Sequence, residues 1–504
     1  MKKYSRFILC ILLILFFAII LAFAFKVNLS ITDNVIVTQI PKITVTNFFV
    51  PVGNFKDIKT NYSLEEFLNE KIFAINGSQA HIQQILPGKE VEFVEAPEIE
   101  NKINDGYKGL LTPEEVNFKY KTLSIDGLNF WDKSLLTDNY PLKTVQVIEK
   151  PENYKVPVIK NKTSFFFTGE IIPARAVDRL ALNKNNNYTY MYDFFKDELE
   201  SADISMGLLE NPINGNPSPC TGCMAFVGDE QNADGLKSVG FDVLSLAGNH
   251  AGDGGQSGFA NTIKNLDEVG ILHVGVGKND YDKIQPAIKE VDGKRIGFVS
   301  ADTVAGYYWN KGTSYWGTNW FSKNMNANVD YDRVKQLTKI KTDNTIDYLV
   351  AYMSWGVEYT NKATNFQVEL AHALIDNGVD LVIGSHPHWV QNIEIYNGKP
   401  IIYSLGNFLF DQNHTDPTRQ GMNAMLYYYG GELKSIELQP HLSCGPFITS
   451  KNITNDYLNG NITMADLQSR NEKNGCVYFQ PLELKESHPT YKTIIDRVMQ
   501  YTKL

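Results

Sequence analysis

The fold class is decided by the stretch Gly378–Asp411, whose sequence is GVDLVIGSHPHWVQNIEIYNGKPIIYSLGNFLFD. Its apolar run Leu381–Ile383 ends at a glycine and leads into His-Pro-His, and a hairpin pattern then turns at Asn397-Gly398. A short apolar run of this kind is typical of a strand buried on both faces, and Asn-Gly between apolar runs predicts a hairpin. The stretch therefore predicts several strands of a sheet, with polar residues gathered where the strands end.

The same pattern extends upstream from this stretch to Thr163. Phe165–Gly169 is another apolar run that ends in glycine, and a second hairpin is predicted around Asp292-Gly293. Further strands are predicted at 204–210, 241–246, 271–276 and 348–353, and helices at 190–199, 230–239, 258–269 and 363–377. Strands that alternate with helices, followed by hairpins, predict a layered α/β domain with a mixed sheet.

Composition and charge exclude two classes of protein. The 504 residues are 43% hydrophobic and 21% charged, which is ordinary for a globular protein and argues against a disordered chain. The formal net charge is −10. Nucleic-acid-binding proteins meet phosphates with a basic surface, so we predict no nucleic-acid partner.

The N-terminus predicts a membrane anchor. Three basic residues, the last of them Arg6, precede Phe7–Phe25, a run of 19 uncharged residues. As a helix this run spans about 28 Å, close to the thickness of the hydrocarbon core. The basic flank predicts a single-pass protein of the cell membrane with its body, Lys26–Leu504, outside the cytoplasm. The alternative is a signal peptide cleaved at Ala22-Phe23-Ala24, but the length of the run favours the anchor.

We divide the chain into four parts. Residues 1–26 form the cytoplasmic stub and anchor, 27–160 an accessory extracytoplasmic α+β domain with linkers, 163–445 the α/β domain, and 446–504 a C-terminal extension. In the accessory domain, Ser63 followed by Glu66 predicts a capping box at the start of a helix.

Four of the five cysteines lie outside the cytoplasm in this topology, where disulfides can form. Cys220 with Cys223, and Cys444 with Cys476, could each close a disulfide. Four free thiols are the alternative, and a metal knuckle is disfavoured because no second Cys-x-x-Cys accompanies the first.

Residues with metal-binding or acid–base side chains follow one predicted strand after another. Sites in open α/β sheets form beyond the carboxyl ends of the strands, so these side chains are expected to meet. The residues are Glu170, Glu210, Asn249, His250, Asp253, Glu358, His386, His388 and Asn407. The glycines beside several of them let the loops approach closely.

Five of these residues form a predicted metal site. They are Glu170, Glu210, Asn249, His386 and His388. Divalent ions accept this mixture of carboxylate oxygen, amide oxygen and imidazole nitrogen. His386 and His388 are two residues apart, so in an extended backbone both rings point to one face, and Pro387 restricts the backbone between them. We assign His250 and Asp253 to catalysis, with His250 as general acid toward a leaving-group oxygen.

These residues, in this order, resemble the bacterial capsule synthesis proteins of the CapA type, also called the poly-γ-glutamate capsule biosynthesis family. The resemblance covers about residues 163–445. Its motifs are Gly-Glu170, Leu-Glu210, Asn249-His250 with Asp253, Trp355-Gly-Val-Glu358-Tyr359, His386-Pro-His388-Trp-Val-Gln391 and Tyr403-Ser-Leu-Gly-Asn407-Phe408. It implies a calcineurin-like metallophosphoesterase fold, a four-layer α/β/β/α sandwich. We assign Arg175, Trp355, Glu358 and Asn407 to substrate binding.

Three positions depart from the family's usual pattern. The family has Asp where this chain has Glu170, Asn-Leu-Glu where it has Leu208-Leu209-Glu210, and His where it has Ser354. Glu for Asp keeps a carboxylate on a longer arm, whereas Ser for His removes an imidazole ligand. The resemblance therefore implies one divalent ion (Mn, Fe, Zn or Mg) rather than two.

Two functions follow from this reading. The first is a membrane-anchored, metal-dependent hydrolase or transferase that acts on an envelope polymer or a phosphoester. The second is a non-catalytic scaffold that binds capsule polymer or assembly proteins, which the loss of a ligand at Ser354 favours. In both cases the resemblance implies a role in capsule biosynthesis, with the envelope polymer or capsule assembly proteins as partners.

Overall fold

The computed structural model describes residues 31–32, 35–36, 42–132, 139–149, 162–183, 188–215, 225–305, 315–412, 414–443 and 481–504. The predicted anchor Phe7–Phe25 and all five cysteines lie outside the described residues. Among the residues that are described, no helix has the length and apolar character needed to cross a bilayer.

An eight-stranded sheet, the first sheet, forms one half of the α/β domain. Its central strand Lys162–Ile171 runs parallel to Ile204–Leu209 on one side and antiparallel to Gln420–Tyr429 on the other. In order across the sheet the strands are Leu272–Val274, Val243–Ser245, Ile204–Leu209, Lys162–Ile171, Gln420–Tyr429, Glu432–Ser443 and Pro481–Glu483, with Asn407–Leu409 also paired to Lys162–Ile171. The last strand shows that residues of the C-terminal extension complete this sheet.

A six-stranded sheet, the second sheet, forms the other half. Its order is Ala287–Val291, Lys294–Asp302, Tyr348–Ser354, Leu381–Ser385, Lys399–Ile402 and Ile393–Tyr396. The four inner strands are parallel, and a hairpin closes each edge, as predicted. Both residues of each turn, Asp292-Gly293 and Asn397-Gly398, have φ between 49 and 73°. Asn, Asp and Gly tolerate this left-handed backbone, which a type I′ turn requires.

The two sheets pack face to face, with helices on both outer sides, so the domain has four layers. Phe165 and Phe167 of the first sheet meet Phe298 and Val350 of the second in one buried cluster. Side chains alternate along a strand, so Phe166 points the opposite way, into the cluster beneath the helices. The helices Ala176–Asn183, Lys196–Ser201, Asn232–Ser238 and Gly255–Val269 cover the first sheet, and Tyr331–Val334, Gln336–Asp343 and Asn365–Asp376 cover the second. The predicted α/β fold is confirmed.

The accessory domain, residues 42–132 and 139–149, has its own sheet and hydrophobic core. Its strand order is Val91–Val94, Ile72–Ile75, Lys108–Leu111, Val50–Asn54 and Tyr120–Thr122, its helices are Leu64–Asn69, Gln79–Ile85 and Ala96–Asn104, and Lys42–Phe48 pairs with Lys143–Glu149. The predicted capping box is confirmed, because Ser63 accepts from the Glu66 backbone N–H and the Glu66 side chain accepts from that of Ser63.

Several short elements complete the description. They are the strand pairs Ile31–Thr32 with Val35–Ile36, Asn61–Tyr62 with Ser124–Ile125, Val276–Gly277 with Gly317–Thr318, and Ser322–Asn324 with Ala327–Val329, and the helices Asp280–Ile284 and Asp416–Arg419. The terminal helix Pro489–Met499 buries Ile494, Ile495 and Val498 in the cluster between the two sheets.

The helical stretch predicted at 190–199 is confirmed, and it divides into two helices of different type. Thr189–Phe195 is a 3₁₀ helix, and an α-helix follows at Lys196–Ser201. Tyr192 and Phe195 are three residues apart and both pack on Phe408. Three residues is the repeat of a 3₁₀ helix, so the tighter turn puts both rings on one side.

We expect Gly169→Ala to destabilise the protein, because a Cβ there would lie 1.8 Å from the Gly406 carbonyl oxygen. Overpacking against backbone should lower the free energy of unfolding by about 3 kcal/mol. Gly398→Ala is the matched control, since no described residue lies within 4 Å of its Cβ position and only its φ of 73° is unfavourable. That strain should lower the free energy of unfolding by about 1 kcal/mol, as measured by urea denaturation. Equal losses of unfolding free energy in the two variants would contradict the steric argument.

Candidate functional site

Glu170 is the acceptor on which both sheets converge. It lies near the end of the central strand of the first sheet and is 0% exposed. Its Oε1 accepts the backbone N–H of His386 at 2.6 Å and the hydroxyl of Ser385 at 3.0 Å. Its Oε2 lies 2.6 Å from Nδ1 of His388. Three residues at the end of the second sheet are thereby bound to one carboxylate of the first.

Two asparagines orient the two histidine rings. Nδ1 of His386 is 2.9 Å from Oδ1 of Asn249, and Nδ1 of His388 is 2.8 Å from Oδ1 of Asn407. The amide of Asn407 donates to the Thr418 carbonyl at 2.9 Å, and Asn407 is buried. We predicted a substrate contact for Asn407, but the structure makes it a positioning residue for His388, because both ends of its amide are used inside the protein.

Glu210 is a second buried carboxylate, 1% exposed, directly after the strand Ile204–Leu209. Only glycine fits beside it at position 248, where a Cβ would lie 2.7 Å from Oε2 of Glu210. Among the described residues nothing donates a hydrogen bond to that oxygen. Burial, and then the charge of Glu170, raise the pKa of the Glu210 carboxyl well above its ordinary value.

The charges of the neighbouring groups differ sharply. Burial raises the pKa of Glu170, but the charges of His388 and His386 and the hydrogen bonds from these two residues together outweigh it, so the pKa lies below its ordinary value. Burial also opposes protonation of His388, yet Glu170 raises its pKa to about 9. Burial and the neighbouring His388 lower the pKa of His386 to about 3. At neutral pH the site therefore holds an ionised Glu170–His388 pair beside a neutral His386.

Backbone strain concentrates around these groups. Arg175, Tyr359, His386 and His388 have φ of 57, 64, 94 and 59°. This left-handed region is uncommon for residues other than Gly, Asn and Asp, and such strain often marks a functional site. The extended backbone that we predicted for His386 and His388 was wrong, because the strand ends at Ser385. The left-handed turns, rather than strand alternation, bring both rings to Glu170.

His250 and Asp253 form a hydrogen-bonded dyad beside the buried cluster. Nδ1 of His250 lies 2.8 Å from Oδ2 of Asp253, which also accepts the backbone N–H of Phe226 at 2.7 Å. The His250 ring packs edge-on against Phe226, with centroids 4.4 Å apart. The dyad leaves Nε2 of His250 as the nitrogen free to exchange a proton with a bound group.

His250 lines a cavity of about 310 Å³ that also contains His388. Its other lining residues are Ile172, Arg175, Phe226, Glu358, Tyr359, Phe410, Asp411, Gln412 and His414. Arg175 is paired with Asp411, and its guanidinium stacks 4.6 Å from the Phe226 ring centroid. The predicted Arg175 and Glu358 thus share a cavity with the dyad, whereas Glu170, Glu210, Asn249 and His386 do not line it.

Sequence reasoning missed part of this wall. The cavity residues that the sequence did not single out as site residues are Phe226, Phe410, Asp411 and His414. Phe410 and Asp411 directly follow the strand Asn407–Leu409, whereas Phe226 and His414 lie in irregular segments, and only tertiary packing brings the four to one cavity. Asp302, at the end of the strand Lys294–Asp302, is a further buried carboxylate that the sequence did not single out. Its charge contributes to raising the pKa of Glu210.

Two other predicted positions lie inside the second sheet. Trp355 is fully buried, and its indole N–H donates to the Tyr403 carbonyl at 2.9 Å. Its predicted substrate contact is corrected to a core position, because no part of the ring reaches solvent. Ser354 is also fully buried, between Asp302 and Ser385 in the sheet register, and its hydroxyl has no hydrogen-bond partner among the described residues.

The donor chemistry of the cluster fits a divalent cation. Glu170 and Glu210 are two buried carboxylates opposed by one cationic ring, His388, and one oxygen of Glu210 accepts no hydrogen bond within the described part of the chain. A bound cation would stabilise the ionised form of Glu210, which burial and Glu170 otherwise disfavour. The described residues nevertheless contain no group of three Asp, Glu, His or Cys side chains arranged as metal ligands. The predicted ligands instead contact one another.

A family model described as "Bacterial capsule synthesis protein PGA_cap" matches residues 164–412. The "PGA biosynthesis protein CapA" of Bacillus subtilis is 30% identical over 285 residues, which are 56% of this chain and 71% of that protein. The chain belongs to the PGA_cap family. All the predicted site residues, from Glu170 to Asn407, fall inside the PGA_cap match.

Other relatives extend the comparison. The "Capsule biosynthesis protein CapA" of Bacillus anthracis is 31% identical over 277 residues, 53% of this chain and 64% of that protein. The match therefore spans a little less than two thirds of the B. anthracis relative. A "Probable polyglutamine synthesis accessory protein" of Mycobacterium tuberculosis is 30% identical over 184 residues, 36% of this chain and 48% of that protein.

The two buried carboxylates should respond oppositely to loss of charge. With chelator present at pH 7, Glu170→Gln should lower the free energy of unfolding by about 3 kcal/mol, because it removes the ion-pair partner that holds the buried His388 ring in its charged form. Glu210→Gln should be neutral or stabilising, because burial and Glu170 already disfavour the ionised form of Glu210 and glutamine is neutral. Urea denaturation measures both, with the half-exposed Glu358→Gln as control. Equal losses in the first two variants would contradict this account of the charges.

Proposed function

We propose that this PGA_cap-family chain acts in the biogenesis of a capsule or poly-γ-glutamate-type envelope polymer. In this proposal it is a membrane-anchored, metal-dependent hydrolase or transferase whose site lies at the strand ends. The names of the Bacillus relatives support the biological role, and the uncharged run Phe7–Phe25 supports the anchor. The substrate is an envelope polymer or a phosphoester.

The observation that carries the catalytic part is the unpaired oxygen of Glu210. It is buried beside a second carboxylate, and it lacks a hydrogen bond from any described residue. Burying a carboxylate without donors costs free energy, and a residue with only a structural role would not need to bear this cost. A bound cation removes this cost, and the same cluster touches a cavity large enough for a small substrate group.

The predicted ligand set keeps its role in this proposal. The ion would be held by Glu170, Glu210, Asn249, His386 and His388. When bound, a divalent ion supplies Lewis-acid polarisation of the scissile group and lowers the pKa of a water molecule.

The cavity residues supply orientation and proton transfer. Asp253 holds the His250 ring through Nδ1, so Nε2 can donate a proton to the leaving-group oxygen. Arg175 is held by Asp411 and by the Phe226 and Phe410 rings, and it presents donors to an anionic group. The apolar wall formed by these rings limits the access of water to the reacting bond.

The alternative proposal is a non-catalytic scaffold that binds capsule polymer or assembly proteins. Two observations favour it. Ser354 stands where the family usually has a histidine, and the ligand side chains contact one another in the described structure instead of facing a common point.

Removal of a ligand should reduce metal affinity. We expect His386→Ala and Glu210→Gln each to weaken Mn²⁺ binding to the full-length protein by at least about 100-fold, because each removes a bond to the ion. Isothermal titration calorimetry measures affinity and stoichiometry. His273→Ala, which removes a histidine paired with Asp267 outside the cluster, should leave both unchanged. Ser354→His should raise the stoichiometry, and unaltered binding in His386→Ala would refute the metal site.

The proton donor has a separate test. His250→Ala should lower kcat by about 10²–10⁴-fold on the substrate that is turned over, while Mn²⁺ affinity is kept. Asp253→Asn should lower kcat less, because the ring remains but is held more weakly. A panel of aryl phosphodiesters, aryl phosphomonoesters and γ-glutamyl anilides provides the assay. Absence of turnover on all of them, with metal bound, would favour the scaffold.

A further inference from the structure

A second cavity, larger than the one at the strand ends, has a volume of about 520 Å³ and lies between the accessory domain and the first sheet. Lys121 and Asn129 line it from the accessory domain, and Glu437 and Gln439 from the strand Glu432–Ser443. Tyr491 lines it from the C-terminal helix. Every lining residue falls outside the match to the family model, so this cavity is separate from the site that the family shares.

A buried ammonium group lines this cavity without a carboxylate partner. Lys121 is 7% exposed, and its Nζ donates to the backbone carbonyl of Asp57. Within the described residues no carboxylate forms an ion pair with it, and burial lowers its pKa to about 8. The charges of Asp57, Glu486 and Glu437 oppose this effect only from a distance, so an anionic group in direct contact with the ammonium would be bound favourably.

A carboxylate lines the same cavity without a cationic partner. Glu437 accepts from the side-chain amide of Asn129 and from the Tyr427 hydroxyl, and within the described chain no Lys, Arg or His forms a direct ion pair with it, although the charge of Lys121 acts on it from a distance. Burial raises its pKa to about 7. The Glu437 carboxylate would accept hydrogen bonds from a ligand ammonium.

We propose that this cavity binds a small zwitterion, a free amino acid or a dipeptide, through a carboxylate at Lys121 and an ammonium at Glu437. A simple anion would leave Glu437 unpaired and would be repelled by it. A simple cation would meet the same difficulty at Lys121, and a neutral sugar would leave both charges uncompensated. The volume lies in the range of small-molecule sites.

Such a ligand would touch both sides of a polar boundary between domains. Thr122 donates to Ser435 at 2.9 Å, and the Thr60 backbone N–H donates to Glu486 at 2.6 Å across the same boundary. A ligand that binds only the docked arrangement stabilises it. The inference is independent of the proposed function, because it uses none of the strand-end residues.

The test uses ligands blocked at one end, so that the protein itself stays unaltered. L-alanine, L-glutamate, L-lysine and glycylglycine are titrated into the full-length protein by calorimetry. The N-acetylated form and the carboxamide form of the ligand that binds most tightly are then titrated in the same way. Each blocked form loses one charge-assisted contact and should bind at least about tenfold more weakly. Saturable binding of a zwitterion that is weakened by both modifications supports the proposal.

Variants then assign each contact. Lys121→Gln should weaken binding of the zwitterion at least about tenfold but leave the affinity for the carboxamide form unchanged. Glu437→Gln should likewise weaken binding of the zwitterion at least about tenfold but leave the affinity for the N-acetylated form unchanged. Lys485→Gln is the matched control, because this lysine lines the same cavity with a side chain that is 82% exposed and paired with Glu483. The affinity of the Lys485→Gln variant for the zwitterion should change by less than about twofold.

The proposal is overturned if none of the four zwitterions binds at about 10 mM, or if either blocked form binds as tightly as the free one. These results come from the unaltered protein, so they decide the question even if a variant fails to fold. Metal binding at the strand ends is measured on the same preparation, and its presence or absence leaves this result unaffected.

Discussion

The carboxylate of Glu170 is the group on which the geometry of the site depends. It belongs to the first sheet, yet it is bound by Ser385, His386 and His388 at the end of the second. A buried carboxylate must be surrounded by donors, and those donors can reach it only if the strand ends of both sheets lie at one edge of the sandwich. The same requirement explains why Gly169 is needed beside it, where the Gly406 backbone passes too close for a Cβ.

The second carboxylate gives the site its chemical character. Glu210 is as buried as Glu170, but the ion pair of His388 is with Glu170, so the ionised form of Glu210 is unfavourable. Four residues around the site are in left-handed backbone, and each costs roughly 1–3 kcal/mol. Surrounding bonds hold this strain, such as the one from the Tyr359 N–H to the Pro387 carbonyl at 2.9 Å. Unfavourable charge and strained backbone at one place are typical of a site arranged for binding rather than for stability.

The accessory domain meets the α/β domain through two kinds of contact. Tyr429 of the first sheet enters the aromatic cluster of Phe130 and Trp131, which is apolar and closely packed. Beside it the boundary is polar, and it encloses Lys121 and Glu437 without pairing them. Apolar packing fixes how the domains dock, whereas unpaired charges at such a boundary reduce stability unless another group meets them.

The sequence alone determined the elements whose signals are local. Apolar runs ending in glycine located the strands that hold Glu170 and His386, Asp292-Gly293 and Asn397-Gly398 located the hairpins, and Ser63 with Glu66 located a helix start. These signals act over a few residues, so no distant contact is needed to recognise them. The order of the strand-end motifs also identified the family, which the comparisons confirmed.

Only the tertiary structure decided which of these residues reach the cavity and what charge they carry. It buried Trp355, although exposed positions follow two residues later in its motif, and it turned Asn407 toward His388. It also brought Phe226 and His414 to the cavity from segments without a pattern, and placed Lys121 opposite Glu437 across more than 300 residues of chain. Burial and charge pairing depend on neighbours that are distant in sequence, and a local pattern carries no information about them.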